Sequence, residues 1–364
     1  MTNKKPRLLF IAALLTVWLN VAVASAQTGT SDPLNALPTS DVVAFIDVRR
    51  IMTEIVPRLL AKDPATLAKM TSAINELNTK TGINLLGIDR VAGGMQFVGP
   101  ATHQMKKESL GIAVIVHGDF NANALVEFLK SEGKGKLGME TYGGKTIYSE
   151  PQPAPPRKKA ERETAACAIL DSNTFVIGDL PQVRATIDAM SGKVARVDSK
   201  LVELATRDSS SLIGMAGNFP ESLARDLSET APKDDQMAQA ATKIIANIKQ
   251  IFGSIGGTPS DFNIIFGARL GTPEQAQSMN DLLLGLRQQA TPHIEDKKAR
   301  DLIERIQITA QGDEVQLKAS IPNEVVQDFA ADIIKENQPA AKKPTTPKTK
   351  QTTKARRSRR RRRH

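Results

Sequence analysis

The apolar residues of this 364-residue chain recur at two spacings, which predict short strands alternating with amphipathic helices. Runs rich in β-branched residues predict the strands, and apolar residues three or four positions apart predict the helices. Residues 306–310 and 315–321 alternate apolar and polar side chains around a turn, so we expect an antiparallel pair with one face in water. The mixture of the two spacings predicts an α+β fold.

The expected elements follow from these spacings along the chain. Gly143-Gly144 between two short strand-like runs is a strong signal for a two-residue hairpin turn. Pro57 predicts a break within the first helix or a new first turn at that position. Strands are expected at 42–48, 91–98, 110–116, 139–142, 145–148, 165–170, 174–177, 211–216, 262–270, 306–310 and 315–321. Helices are expected at 51–60, 64–81, 121–130, 183–190, 237–251, 276–286 and 325–334.

The order of elements in the first part of the chain recurs in the second part. A strand running into a helix at 112–130, for example, matches a strand running into a helix at 263–286. We therefore expect two related halves, 37–197 and 198–337, each an antiparallel sheet with helices packed on one face. The first half also contains an exposed loop rich in Pro and Lys at 151–163. The alternative is that common elements recur by coincidence.

Three segments resemble uncharacterised exported bacterial proteins that are built from duplicated α+β units. They are LPTSDVVAFIDV at 37–48, TYGGKTIY at 141–148 and DSNTFVIG at 171–178. The resemblance spans residues 37–335 and rests on patterns of strands and turns. It implies a family of unknown function, with no activity and no catalytic residues to carry over.

Residues 1–26 have the three features of a secretory signal peptide. Three basic residues precede an apolar run at 8–24, and Ala24-Ser25-Ala26 forms the exit that a signal peptidase requires. We expect cleavage after Ala26, a flexible lead-in at 27–36, and a periplasmic or extracellular protein. The alternative is an uncleaved anchor, because the apolar run almost reaches the length that spans a bilayer. No integral membrane span is expected after the signal peptide is removed.

The formal net charge of +10 is concentrated at the two ends of the chain. Of the 49 basic residues, three lie in 1–26 and twelve lie in 342–364, and neither segment contains an acid. The other 34 basic residues are set against all 39 acids, which leaves the middle of the chain with a net charge of −5. The folded part is therefore expected to be mildly acidic.

Residues 338–364 have no apolar period, so we expect a disordered tail rich in Lys and Arg. Its twelve positive charges suffice for nonspecific binding of phosphate polymers through counterion release. No aromatic residue is interleaved to stack on bases, so sequence-specific nucleic acid is not an expected partner. The alternative is a tail that only keeps the protein soluble. The candidate polyanion-binding residues are Lys342, Lys343, Lys348, Lys350, Lys354, Arg356, Arg357, Arg359, Arg360, Arg361, Arg362 and Arg363.

The single cysteine, Cys167, lies in an apolar strand-like run, so no intramolecular disulfide can form. An inert buried thiol is favoured over a nucleophile, because no basic residue or helix start lies beside it. Gly144-Lys145-Thr146 resembles the end of a phosphate-binding loop, but Met139 stands where that loop requires glycine. A hairpin turn is the favoured interpretation.

The remaining candidates do not predict a reaction. The four histidines lack partners at metal-ligand spacing, and His293 beside Glu295 and Asp296 is typical of the start of a charged helix. The chain has no Gly-x-Ser-x-Gly elbow and only 1 Trp and 2 Tyr, which argues against a serine hydrolase and against sugar-stacking platforms. We expect no catalytic residues, no metal and no other cofactor.

These observations predict an exported, non-enzymatic protein of unknown specific role. Its basic tail, at 342–364, is expected to attach it to an anionic polymer or surface of the cell envelope. The alternative is an envelope enzyme or small-ligand binder that uses a groove between the two halves, where pockets commonly form.

Overall fold

A computed structural model describes residues 32–81, 84–99, 110–132, 137–150, 164–230 and 236–328. The chain has the predicted α+β fold, with antiparallel strands in one large sheet and helices packed against it. The signal peptide, the 151–163 loop, residues 329–337 and the 338–364 tail lie outside the described residues, so the predictions made for them stand as predictions. The same holds for the domain boundaries.

The described residues contain twelve strands. They are β1 (Val42–Ile46), β2 (Ile88–Phe97), β3 (Leu110–Gly118), β4 (Gly138–Tyr142), β5 (Lys145–Ser149), β6 (Ala165–Ile169), β7 (Thr174–Asp179), β8 (Ser211–Asn218), β9 (Gln250–Gly257), β10 (Asp261–Arg269), β11 (Gln307–Gln311) and β12 (Glu314–Pro322).

Helices connect these strands. They are α1 (Val48–Arg50), α2 (Val56–Leu59), α3 (Pro64–Thr81), α4 (Ala122–Glu132), α5 (Leu180–Met190), α6 (Ser199–Thr206), α7 (Glu221–Thr230), α8 (Gln236–Ile245), α9 (Pro273–Ala290) and α10 (Lys297–Glu304). A π-helical turn at Ile51–Ile55 joins α1 to α2, and Pro57 lies in the first turn of α2, as the sequence predicted. Proline is tolerated there because the N–H groups of the first helical turn have no acceptor within the helix, so the N–H that proline lacks costs no hydrogen bond.

The two halves share one sheet rather than forming one sheet each. The strand order is β11-β12-β10-β9-β8-β1-β2-β3-β7-β6-β5-β4, so β1 and β8 pair at the centre. Their antiparallel register places Val43 opposite Ala216 and Phe45 opposite Gly214. Because β1 and β8 pair with each other, neither strand is left as an exposed edge.

The strand order is the same in both halves when it is followed outward from this central pair. The first half gives β1-β2-β3-β7-β6, and the second gives β8-β9-β10-β12-β11. The first half adds the β4–β5 hairpin beyond β6. A shared order supports an internal duplication, which stays a prediction.

The β9 strand differs from the sequence expectation, which extended one helix to residue 251. The helix α8 ends at Ile245, and β9 begins at Gln250. Ile244, Ile248 and Ile251 have helical spacing, but only Ile244 lies in α8. Ile248 lies between α8 and β9, and Ile251 lies in β9; both pack in one apolar cluster with residues of α9. The β9 strand is fixed by its pairing with β8 and β10, which a local pattern does not contain.

Helices cover both faces of the sheet in the first half, where one face was expected. The α5 face, which carries Phe45, Ile115 and Val176, is covered by α5 and α6. On the opposite face, here called the α9 face, Val116 and Phe175 pack against α4. Strand β3 buries Ala113 and Ile115 on the α5 face and Val116 on the α9 face, because helices cover both sides of the sheet here.

In the second half, α9 covers the end of the α9 face, where Ala268 and Val315 are buried. On the α5 face, α6 covers only the strands nearest the centre, through contacts with β1, β8 and β9. Among the described helices, none continues this cover over β10, β12 and β11. This uncovered surface positions the candidate site.

Candidate functional site

The uncovered part of the α5 face is polar, whereas its counterpart in the first half is apolar. In the first half, Ala113 and Val176 lie under α5 and are buried. In the second half, Lys318 and Ser320 on β12 are exposed, as are Gln307, Thr309 and Gln311 on β11. The predicted strand pair with one wet face is therefore confirmed. The polar residues keep this surface solvated without a covering helix.

A groove of about 1010 Å³ follows β12 where β11 ends. The register pairs Gln307 with Lys318, so residues 319–322 of β12 extend beyond the first residue of β11. The turn at 208–210 and the segment 304–309 form its sides, and Arg287 of α9 contributes to its wall. A smaller cavity of about 310 Å³ beside Phe252 continues it towards α6. The larger volume is at the upper end of the range typical of small-molecule sites.

Lys318 is a positive group on this surface, and the groove is also lined by Arg287 and Arg305 and by the acids Asp208, Asp261 and Glu304. The register places Lys318 between Ile265 of β10 and Gln307 of β11, and it lines both cavities. Gln316 and Ser320 lie two positions to either side, so their side chains share its face. No described acidic side chain forms an ion pair with Lys318. Its ammonium is therefore available to a ligand.

Asp208 lines both cavities together with Lys318, and it holds the turn. Its Oδ1 accepts hydrogen bonds from the backbone N (2.9 Å) and Oγ (2.7 Å) of Ser210, and its Oδ2 accepts one from Oγ of Ser254 at 3.2 Å. Burial disfavours the charged form, but hydrogen bonds from Ser210 and Ser254 outweigh this effect and lower the pKa of Asp208. A carboxyl with a lowered pKa is ionised at neutral pH and is a poor proton donor.

Glu314 bridges two arginines at the far end of the same face. Its Oε2 lies 2.6 Å from Nη2 of Arg207, and its Oε1 lies 2.7 Å from Nη2 of Arg269. Arg207 also lies over the ring of Phe252, 4.1 Å from the centroid. Arg269 donates a further hydrogen bond to Gln250 at 3.0 Å. Two guanidinium groups share one carboxylate, so this end of the face carries a positive excess.

The groove brings together groups that can bind a ligand. Lys318 supplies positive charge, and Asn263, Ser320 and Thr309 supply hydrogen-bonding groups along the groove. Among the described lining residues, no serine, threonine or lysine forms a hydrogen bond with a histidine that could act as its base. The described residues also contain no group of three or more His, Cys, Asp or Glu that could hold a metal ion.

The groove expected between the two halves is replaced by one within the second half. At the centre, β1 and β8 pair directly, and Phe45 and Ala216 are 3% and 0% exposed. A ladder of backbone hydrogen bonds with buried side chains leaves no cleft there.

One cluster of titratable groups was not predicted from the sequence. His117 on β3 lies 3.1 Å from Oγ1 of Thr174 through Nδ1 and 3.9 Å from Oδ2 of Asp89 through Nε2. Arg49 contacts the other oxygen of Asp89. The distance from His117 to Asp89 exceeds a hydrogen bond, and Thr174 is 8% exposed, so this cluster lacks the geometry of a catalytic relay. Four separate elements, α1, β2, β3 and β7, supply it, so no local spacing could have indicated it.

The other sequence candidates have structural roles. Cys167 is buried on β6, and burial raises the pKa of its thiol to about 12, which keeps it protonated and unreactive. Gly143 and Gly144 form the predicted hairpin turn between β4 and β5, both with positive φ. Asp296, beside His293, accepts a hydrogen bond from the backbone N of Ala299 at 2.7 Å and caps α10.

The twelve candidate tail residues between Lys342 and Arg363 lie outside the described residues, so their binding role stays a prediction. Among the helices of the described part, none is long and apolar enough to cross a membrane.

The chain matches no known protein-family profile and no curated protein sequence. Among solved structures it is similar to three crystal forms of the Treponema protein TP0453. Crystal form I has 11% identity and a TM-score of 0.41, and the match covers 84% of this chain and 99% of that chain. Crystal form IV has 9% identity and a TM-score of 0.42, with 83% and 97% covered. This likeness is too low to carry an argument about function.

Proposed function

We propose that this is an exported, non-enzymatic protein that attaches to an anionic component of the cell envelope through its basic tail. The observation that carries the proposal is the division of charge: residues 342–364 hold twelve basic groups and no acid, and the chain between the two basic ends has a net charge of −5. A polyanion is attracted to the tail and repelled at long range by the folded part.

The ion pairs of the folded part support this division. Arg184 pairs with Glu140 at 2.7 Å, and Arg90 pairs with Asp32 at 2.7 Å. Other guanidinium groups donate to backbone carbonyls, as Arg300 does to Ile294. The charges of Arg184 and Arg90 are thus balanced by acids of the folded part. The tail has no acid of its own to balance its positive charge.

Binding through the tail is expected to be electrostatic and indifferent to sequence. Each phosphate that a lysine or arginine neutralises releases a condensed counterion, which is the main source of affinity for a polyanion. Without aromatic residues the tail makes no stacking contacts, so it does not distinguish bases or sugars.

The proposal is tested with two variants of the chain that begins at Gln27. The first ends at Gln338, and the second keeps residues 339–364 in reversed order. Retention on heparin and cosedimentation with lipopolysaccharide are expected to be lost in the first and kept in the second, because charge rather than sequence binds. Equal binding by the shortened and intact chains would refute the attachment role.

A second function is favoured by the groove itself, namely binding of a small anionic ligand around Lys318. The probes are inorganic phosphate and citrate, and the measurement is the shift in thermal midpoint. We expect a rise that Lys318→Gln removes and that Lys200→Gln, at an exposed lysine of α6 outside the groove, retains. The same shift in both variants would place binding elsewhere.

A further inference from the structure

We propose that two copies of the chain associate by pairing their β11 strands across a two-fold axis. The strand β11 (Gln307–Gln311) stands at one end of the twelve-stranded sheet, and the described residues place no strand beyond it. Its outer edge therefore presents backbone N–H and C=O groups that can template another strand. This inference does not require binding by the tail, although Gln307 and Thr309 of this strand also line the groove.

The hairpin geometry identifies which backbone groups face outward. Gln311 pairs with Glu314 across a two-residue turn, and Gly312 has a φ of 58°. The residues that close a two-residue turn form a hydrogen-bonded pair, and hydrogen-bonded pairs alternate along an antiparallel ladder. Residues 307, 309 and 311 therefore bond to β12, and Ile308 and Ala310 direct their N–H and C=O outward.

The sequence of β11 is complementary to itself about its central residue. Rotation of Gln-Ile-Thr-Ala-Gln about Thr309 sets Ile308 opposite Ala310 of the second copy, and each such pair makes two backbone hydrogen bonds. Gln307 then faces Gln311 on the polar α5 face. Thr309 faces Thr309, a favourable cross-strand pair. Ile308 and Ala310 continue the apolar cluster under α9.

The two ends of the sheet differ in how they are protected. Edge strands commonly carry charges, prolines or bulges that prevent pairing with another chain. The strand β4 at the opposite end carries Glu140, which pairs with Arg184. The strand β11 has no charged residue, no proline and no break in its register with β12. Nothing in its side chains opposes a second copy.

The contact is short, so we expect a weak dimer. Five residues on each side bury less than the roughly 1,200 Å² of a standard interface. Leu286, 37% exposed, lies on α9, the helix that packs on β11, and adds apolar surface beside the edge. Micromolar association is therefore expected. Attachment of many copies to one surface would raise their local concentration and favour the pair.

The test introduces a charged side chain at position 309, because Thr309 of one copy lies opposite Thr309 of the other at the two-fold axis. Sedimentation velocity over a concentration series is expected to show dimers for the chain from Gln27 to His364. Thr309→Lys alone and Thr309→Glu alone set like charges opposite each other and should each weaken association at least about tenfold. An equimolar mixture of the two variants should restore it as a heterodimer.

Thr141→Lys on the β4 edge is the matched control and is expected to leave association unchanged. Circular dichroism establishes that each variant is folded, and the mixture restores binding only if the two Thr309 positions meet. A monomer at every concentration, unchanged dimers of Thr309→Lys, or a mixture no stronger than either variant would each overturn the proposal.

Discussion

Glu314 is the residue that ties together the outer strands of the second half. It lies at the start of β12, with a side chain 14% exposed, and it accepts hydrogen bonds from Arg207 after α6 and Arg269 on β10. Three elements thus meet at one carboxylate. Removal of its charge leaves two guanidinium groups without their shared partner, and charge-assisted hydrogen bonds are the stronger kind.

Glu314→Gln is accordingly expected to lower the free energy of unfolding by about 1–2 kcal/mol, as measured by urea denaturation. Glu127→Gln is the control, because its partner Lys130 lies on the exposed side of α4 and such pairs contribute little. Equal stability of Glu314→Gln and the original chain would show that the bridge is not a structural tie.

Single residues were predictable from the sequence where one environment determines them. The apolar neighbours of Cys167 indicated burial, and the structure confirms it. His117 was not placed, because its contacts with Asp89 and Thr174 depend on the pairing of β2, β3 and β7. Contacts between strands distant in sequence leave no local spacing to detect.

At the scale of elements, turns and most amphipathic helices followed the local pattern, whereas the strand β9 and the helix α6 were not expected from the sequence. The β4–β5 hairpin is located by Gly143 and Gly144, because their positive φ values suit glycine. The strand β9 was missed because isoleucines at helical spacing run into it from α8. Its pairing with β8 and β10, rather than its apolar spacing, makes it a strand.

Gly144 and Gly285 allow the effect of backbone conformation on stability to be measured without an effect of packing. A Cβ added at Gly144, with a φ of 77°, or at Gly285 within α9 would meet nothing within 4 Å. Gly144→Ala is expected to destabilise the protein by about 1 kcal/mol, because the left-handed region disfavours a side chain. Gly285→Ala is expected to stabilise it by about 1 kcal/mol, because alanine is the better helix former. Thermal unfolding of both variants measures the signs, and the same sign for both would contradict this account.

At the scale of the whole molecule, the sequence predicted the class of the fold but not how the halves join. The repeated order of elements is visible along the chain. The pairing of β1 with β8 joins strands about 170 positions apart, so no local pattern in the sequence indicates it. That pairing closes the expected cleft. The candidate groove arises instead because the second half has polar residues such as Lys318 where the first half has buried alanine and valine.

The central claim is that charge in the tail, and not the folded part, binds the envelope. The most direct measurement is the affinity of intact chain and of chain ending at Gln338 for one polyanion, heparin, at several salt concentrations. Engagement of half the twelve tail charges predicts that log affinity falls with log salt at a slope of about −4 to −5 for the intact chain. The shortened chain should show no measurable binding. A flat salt dependence, or equal affinity of the two chains, would contradict the account.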